Sequence, residues 1–108
     1  MKVAPSLHAV IAVRIVEIEA EMKAIGYWSA DPLPEKAYNF RRAFAMDTMA
    51  FAEWLQFVFV PRVKAIVDQR GEFPAQSQVG TQAVREFDGD PRAGRLVTLL
   101  CEFDRLFD

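Results

Sequence analysis

The sequence predicts an all-α fold, a compact helical bundle of three main helices with one or two short helices beside them. Three observations carry this expectation. Apolar residues recur at spacings of three and four near both ends of the chain, the mark of amphipathic helices. Between those ends, residues 48–61 read TMAFAEWLQFVFVP, with Glu53 the one formal charge. Strand signals are scarce: FVFV at 57–60 has high β-propensity, but its length and flanks, WLQ before and PRVKAIV after, favour helix.

The first helix is expected to begin near Ser6 and stop at Gly26. Pro5 and Ser6 are start signals, and glycine is a common helix terminator. Leu7, Ile11, Ile15, Ile18, Met22 and Ile25 form one stripe, with Glu17, Glu21 and Lys23 outside it. Glu19 and Lys23 make a favourable i,i+4 pair. Residues 27–42 read as irregular, since Asp31-Pro32 is a turn dipeptide and Pro34 follows closely. A single short turn of helix is expected to start at Pro34. Tyr27, Trp28, Tyr38 and Phe40 suggest that this connection is pinned to the core.

The central helix is predicted to start at Asp47 or Thr48, either of which can cap free N–H groups. Phe51, Trp54, Leu55, Phe57, Val58, Phe59 and Val60 point in nearly every direction around it. A helix apolar all round belongs at the centre of a domain or of an interface. Pro61 removes one backbone bond and crowds the Phe57 carbonyl, so a kink is expected there, with the helix running on to about Arg70 before Gly71. Val63, Ile66 and Val67 supply a narrower stripe beyond the kink. Residues 72–80 read as loop, and a short helix over 81–87 would place Val84 and Phe87 on one face. The last helix has a clear start, with Asp90 as cap and Pro91 at the first helical position. Leu96, Leu99, Leu100, Phe103, Leu106 and Phe107 then fall on one side.

At 108 residues the chain is expected to be one domain, 1–108. Such a chain buries roughly 65% of its unfolded surface, enough for a core without disulfides or metals. Hydrophobic residues make up 52% of it, which argues against disorder. The net charge of −2 argues against a nucleic-acid module, which usually carries a basic face. Arg41, Arg42, Arg62 and Lys64 have acidic neighbours in sequence and read as solvated surface. The apolar run 7–13 after Lys2 is followed by Arg14 and three glutamates, which does not read as a signal peptide. No uncharged stretch reaches the roughly 18 residues of a membrane span. A cytoplasmic protein with no membrane partner is expected.

No catalytic residues, metal ligands or cofactor are expected from the residue pattern. Metal sites need several ligands at suitable spacing, and the chain has one His and one Cys. His8 reads as a partly exposed surface residue. Cys101, beside Leu100 and Phe103, reads as a small buried hydrophobe, with Arg105 the one local cation that could activate it. Asp47 and Glu53 flank the apolar segment too far apart around a helix to act as a pair. Gln56, an amide among Trp54, Leu55, Phe57 and Val58, must find hydrogen-bond partners. Those partners are residues 27–42, a dimer axis or a ligand. Trp54, Gln56, Phe57 and Arg62 are therefore the candidate binding residues.

Asp47-Thr48, Phe51, Trp54-Leu55-Gln56, Val58-Phe59 and Pro61-Arg62 together resemble the pattern PFxxDTxxFxxWLQxVFIPR of the YqcC-like family of small bacterial proteins. Ala43 stands where family members commonly have Pro. The resemblance implies an all-α helical bundle and no activity, since the family is uncharacterised. Some members carry a tRNA pseudouridine synthase label, which gene neighbourhood would explain. Synthases of that type use an Asp in a GRLD-type motif, whereas this chain has Gly94-Arg95-Leu96-Val97. The leading expectation is a non-enzymatic interaction protein that binds an unidentified protein partner or forms a homodimer. The alternatives are an RNA-associated accessory protein for tRNA modification, resting on Arg41, Arg42, Arg62 and Lys64, and a small-ligand binder with a pocket around Trp54, Gln56 and Glu53.

Overall fold

The computed structural model describes residues 6–108. Helix α1 spans Leu7–Ala24; its Ser6 cap accepts a hydrogen bond from the Ala9 N–H at 3.1 Å. Pro5 and Lys2, read above as part of the N-terminal signals, lie outside the described residues. Ile11, Ile15, Ile18 and Met22 are buried as the stripe predicts, while Leu7 at the open end is 41% exposed. Gly26 takes φ +80°, and the Tyr27 N–H reaches back to the Met22 carbonyl at 2.8 Å, closing the helix in the left-handed turn that glycine permits.

The connection contains two short 3-10 turns, Glu35–Tyr38 directly after Pro34 and Ala43–Ala45. Tyr27, Trp28 and Phe40 pack on the core, but Tyr38 is 44% exposed and pins nothing. Asp47 does not cap the central helix. Its carboxylate turns back to accept from the Arg41 and Arg42 N–H groups at 3.0 and 3.4 Å. The Arg41 bond is the main reason its pKa lies below the ordinary carboxylate value. Phe44 and Ala45 both adopt left-handed φ, 57° and 52°, which takes residues 46–49 out of helical continuity. The helix starts at Phe51 instead, with the Glu53 carboxylate accepting from the Ala50 N–H at 2.8 Å.

Helix α2, Phe51–Trp54, passes into a π-helical turn, Leu55–Phe59, and then into α3, Val60–Gln69. The Val60 N–H bonds to the Leu55 carbonyl, five residues back. The wide turn lies immediately before Pro61, whose ring would crowd the Phe57 carbonyl in an ordinary α-helix. The expected interruption at Pro61 thus takes the form of a π turn inside one continuous helical rod. Arg70 closes α3 in left-handed geometry, φ 52°. An L side chain there is strained and glycine is not. Arg70→Gly should therefore raise stability by about 0.5 kcal/mol, read from the urea midpoint at unchanged m-value.

Helix α4 spans Val79–Glu86, beginning two residues before the predicted start. Its inner side is Val79, Gly80 and Ala83; Val84, expected inside, is 53% exposed. Phe87, the other residue expected inside, is half-buried and packs on the core. A 3-10 turn, Pro91–Ala93, leads into α5, Gly94–Arg105, and Asp90 caps it by accepting from the Arg92 N–H at 3.0 Å. Leu96, Leu99, Leu100 and Phe103 are buried. The described residues are entirely helix, turn and loop. Helix α1 packs against α3 and α5, and α4 lies along α5. The core fills the space between α1, the central rod and α5.

Candidate functional site

A connected series of rings runs through the protein. Tyr27 meets Phe87 at 5.8 Å, Phe87 meets Phe51 at 5.5 Å, and Phe51 stacks on Trp54 at 5.8 Å. Trp54 continues to Phe59 at 5.6 Å and Phe59 to Phe103 at 5.1 Å. Phe103, Phe107 and Phe73 carry the series on at 5.3 and 5.9 Å, and it ends at His8, 4.8 Å from Phe73. Offset and edge-on pairs at such spacings add specific attraction to burial.

A pocket of about 250 Å³ opens along the second half of this series. Its floor is Trp54, Phe59, Val63 and Phe103, all nearly dry. Phe73, Ile66 and Phe107 form half-buried walls, and residues 72–78 make the lip. Arg62 stands exposed at the rim and makes no ion pair among the described residues. By contrast Lys64 and Lys23 share Glu19 at 2.7 and 2.8 Å, and Glu19 is held below the ordinary carboxylate pKa, chiefly by the Lys23 bond.

The pocket is held open by the cap on α4. One carboxylate, Asp104, accepts from the Ser77 hydroxyl at 2.6 Å and from the Val79, Gly80 and Thr81 N–H groups at 3.0, 2.8 and 3.3 Å. This fixes the end of the lip segment against α5. On the other side, the His8 ring nitrogen Nε2 donates to the Gly71 carbonyl at 2.7 Å, fixing the lip's beginning to α1. The part played by Asp104 has no local sequence signal, because its partners lie more than twenty residues away.

Of the candidate binding residues, the structure brings Trp54 and Arg62 to the pocket and leaves Gln56 and Phe57 elsewhere. Gln56 is 7% exposed and faces the connection, as one of the weighed alternatives has it. Its Oε1 accepts from the Ser29 N–H and its Nε2 donates to the Ser29 carbonyl, each at 2.7 Å. Phe57 is half-buried and lines no part of this pocket. Glu53 is engaged with Ala50 and borders a separate hollow with Leu33 and Lys36. A site around Trp54, Gln56 and Glu53 therefore does not assemble. Gln56→Met preserves the volume and removes both bonds to Ser29. It should cost about 1.5 kcal/mol of stability in urea unfolding and speed exchange of the Ser29 amide.

The remaining reactive groups are tied into structure. Burial pushes the Cys101 thiol above its ordinary pKa, and nearby Asp104 pushes it further. Arg105 opposes this with a smaller effect, so it does not activate the thiol. The Tyr27 hydroxyl donates to Asp90, which raises the Tyr27 pKa and lowers that of Asp90, and joins the start of the connection to the start of α5. Gly94, Arg95, Leu96 and Val97 form the first turn of α5: Arg95 pairs with Glu21 at 3.6 Å and Leu96 is fully buried. No helix among the described residues is long and apolar enough to cross a membrane, and no group of three or more His, Cys, Asp or Glu side chains among them is placed to hold a metal ion.

The family described as DUF446, tRNA pseudouridine synthase C, matches residues 10–106. The chain belongs to this family. Among its relatives, the uncharacterized protein YqcC of Escherichia coli K12 is 27% identical over 101 residues, covering 93% of each chain. The solution NMR structure of Escherichia coli YqcC superposes with a TM-score of 0.83 at 26% identity, covering 95% of this chain and 89% of that one. The YqcC-like resemblance and the helical fold are thus both shown. An uncharacterized protein of Haemophilus influenzae is 28% identical over 75 residues, 67% of this chain and 71% of that one. A Pectobacterium carotovorum protein named tRNA pseudouridine synthase C is 37% identical over 60 residues. Those residues are 56% of this chain but 16% of the Pectobacterium protein, so the family resemblance touches a small part of that longer chain.

Proposed function

We propose that this protein is a non-catalytic, cytoplasmic protein-interaction module, and that the Trp54–Phe103 pocket is its binding face. The supporting observation is the open apolar pocket with Arg62 at its rim, which makes no ion pair among the described residues. Buried aromatic anchors and arginine dominate interface energetics. The His8 and Cys101 side chains support the same reading, since one is spent on a backbone carbonyl and the other is held as a neutral thiol. Light scattering on the purified protein tests the homodimer form, and photo-crosslinking from position 76 in an extract of the native host tests a different partner. The reading predicts a dimer or a specific cross-linked protein, weakened at least tenfold by Arg62→Glu. A strict monomer with no specific cross-link would overturn it.

A second reading, an accessory of tRNA modification, is supported by the Pectobacterium protein. A segment similar to this one lies within a longer chain named for pseudouridine synthesis. Tethering on one chain gives two modules a high effective concentration, the arrangement that separate interacting chains achieve by affinity. In this reading the partner is a tRNA pseudouridine synthase or its RNA. Co-expression with a pseudouridine synthase C should give a complex that survives gel filtration. Direct RNA contact would instead weaken steeply with salt. No complex, and no tRNA binding at low salt, would remove this reading.

A further inference from the structure

We propose that the Trp54–Phe103 pocket seats one large apolar side chain from an extended partner segment, with an Asp or Glu of that segment paired to Arg62. This rests on the interaction-module reading and specifies the partner's chemistry. The volume, about 250 Å³, lies just below the roughly 300–1,000 Å³ of small-molecule sites, and suits a single anchor side chain better than a whole ligand.

Charge selects what flanks the anchor. Several surface cations make no ion pair among the described residues, but of these Arg62 is the one that lines the pocket, so its charge is available where the anchor enters. The acidic cap Asp104 has both oxygens occupied by Ser77 and the first turn of α4. Asp108 borders the adjoining hollow beside Phe107, so that end disfavours a second acid. A carboxylate therefore fits at the Arg62 end, where a planar guanidinium can bind it through two parallel hydrogen bonds.

The lip selects the shape. Residues 72–78 are irregular, and none of their backbone N–H groups donates to another described residue. An extended segment laid along the lip can take those groups as a strand takes its neighbour, which a helix with its own bonds satisfied cannot.

The test is selection of blocked random heptapeptides displayed against the folded protein, followed by anisotropy titration of the labelled consensus peptide and amide shift mapping. The expected consensus has Phe, Trp, Leu, Ile or Met within two residues of Asp or Glu. Changing that acid to Lys weakens binding at least tenfold; Arg62→Glu does the same and restores the Lys peptide. Because Arg62 is exposed, that variant keeps the fold, checked by its circular dichroism. Shifts concentrate at Val63, Phe73 and Phe103. A consensus without an acid, indifference to Arg62→Glu, shifts elsewhere, or no peptide above an unrelated helical control would each overturn the proposal. So would binding of decanoate alone, or competition by self-association. If the peptide arm fails while cross-linking from position 76 in the host extract still captures a specific partner that Arg62→Glu weakens, the extended-segment assignment falls and the interaction reading stands.

Discussion

Gly80→Ala will destabilise the protein by about 3 kcal/mol, the upper end of what overpacking ordinarily costs. A methyl group at Gly80 would lie 2.5 Å from the Cys101 Cα, 2.6 Å from the Cys101 nitrogen and 2.8 Å from the Leu100 carbonyl carbon. All three are backbone atoms, so no side-chain rotation relieves the clash. Helices α4 and α5 would have to separate by on the order of 1 Å to restore ordinary carbon contacts. Helix propensity alone pulls the other way, favouring alanine by about 1 kcal/mol. The sign of the effect therefore decides which force rules at this position. Urea unfolding measures it, and Cys101→Ala in the same background should leave the cost unchanged. A variant as stable as the parent would mean that α4 does not lie this close to α5.

Asp104→Ala should cost about 2–3 kcal/mol, the loss of a helix cap together with the stranding of several donors. One carboxylate serves the Ser77 hydroxyl and the N–H groups of Val79, Gly80 and Thr81. Hydrogen exchange should quicken first at Gly80 and Thr81 and leave α1 largely protected, because the lost bonds belong to α4 and the lip. The pocket should loosen with them, so peptide affinity should fall as well. Asp104→Asn keeps one acceptor oxygen but turns an NH2 group toward N–H donors, and should fall between the two proteins. Uniformly faster exchange throughout the chain would show that Asp104 supports the whole fold instead.

Much of the architecture follows from local chemistry. The stripe from Ile11 to Met22, the Asp90-Pro91 start and the buried side of α5 are direct readings of spacing and capping. Gln56 finds its partners in the connection because a buried amide must be satisfied and Ser29 is the backbone within reach. Asp47 misleads for a physical reason. The Asp-Thr pair suits a helix cap and a loop clamp equally, and the left-handed pair Phe44–Ala45 selects the clamp. Helix α4 begins early because its cap lies far along the chain, in Asp104. Gly80 reads as a loop residue until α5 is placed against it. Trp54 and Arg62 share a pocket that also needs Phe73 and Phe107, residues joined to them only by the tertiary fold.

The π turn at Leu55–Phe59 accounts for the segment that looked apolar on every side. Each residue of an α-helix advances by about 100°, so one extra residue within a turn shifts the phase of everything after it. Phe51 and Trp54 obey one angular origin, and Val60 and Val63 another. A single wheel drawn through all of them smears two ordinary amphipathic patterns into a full circle. The rod is two helices sharing an axis but offset in rotation. Tightening the wide turn to ordinary α geometry with every residue kept would rotate one half by about 100° and turn its inward side toward water, whereas deleting one residue there would bring both patterns onto one face.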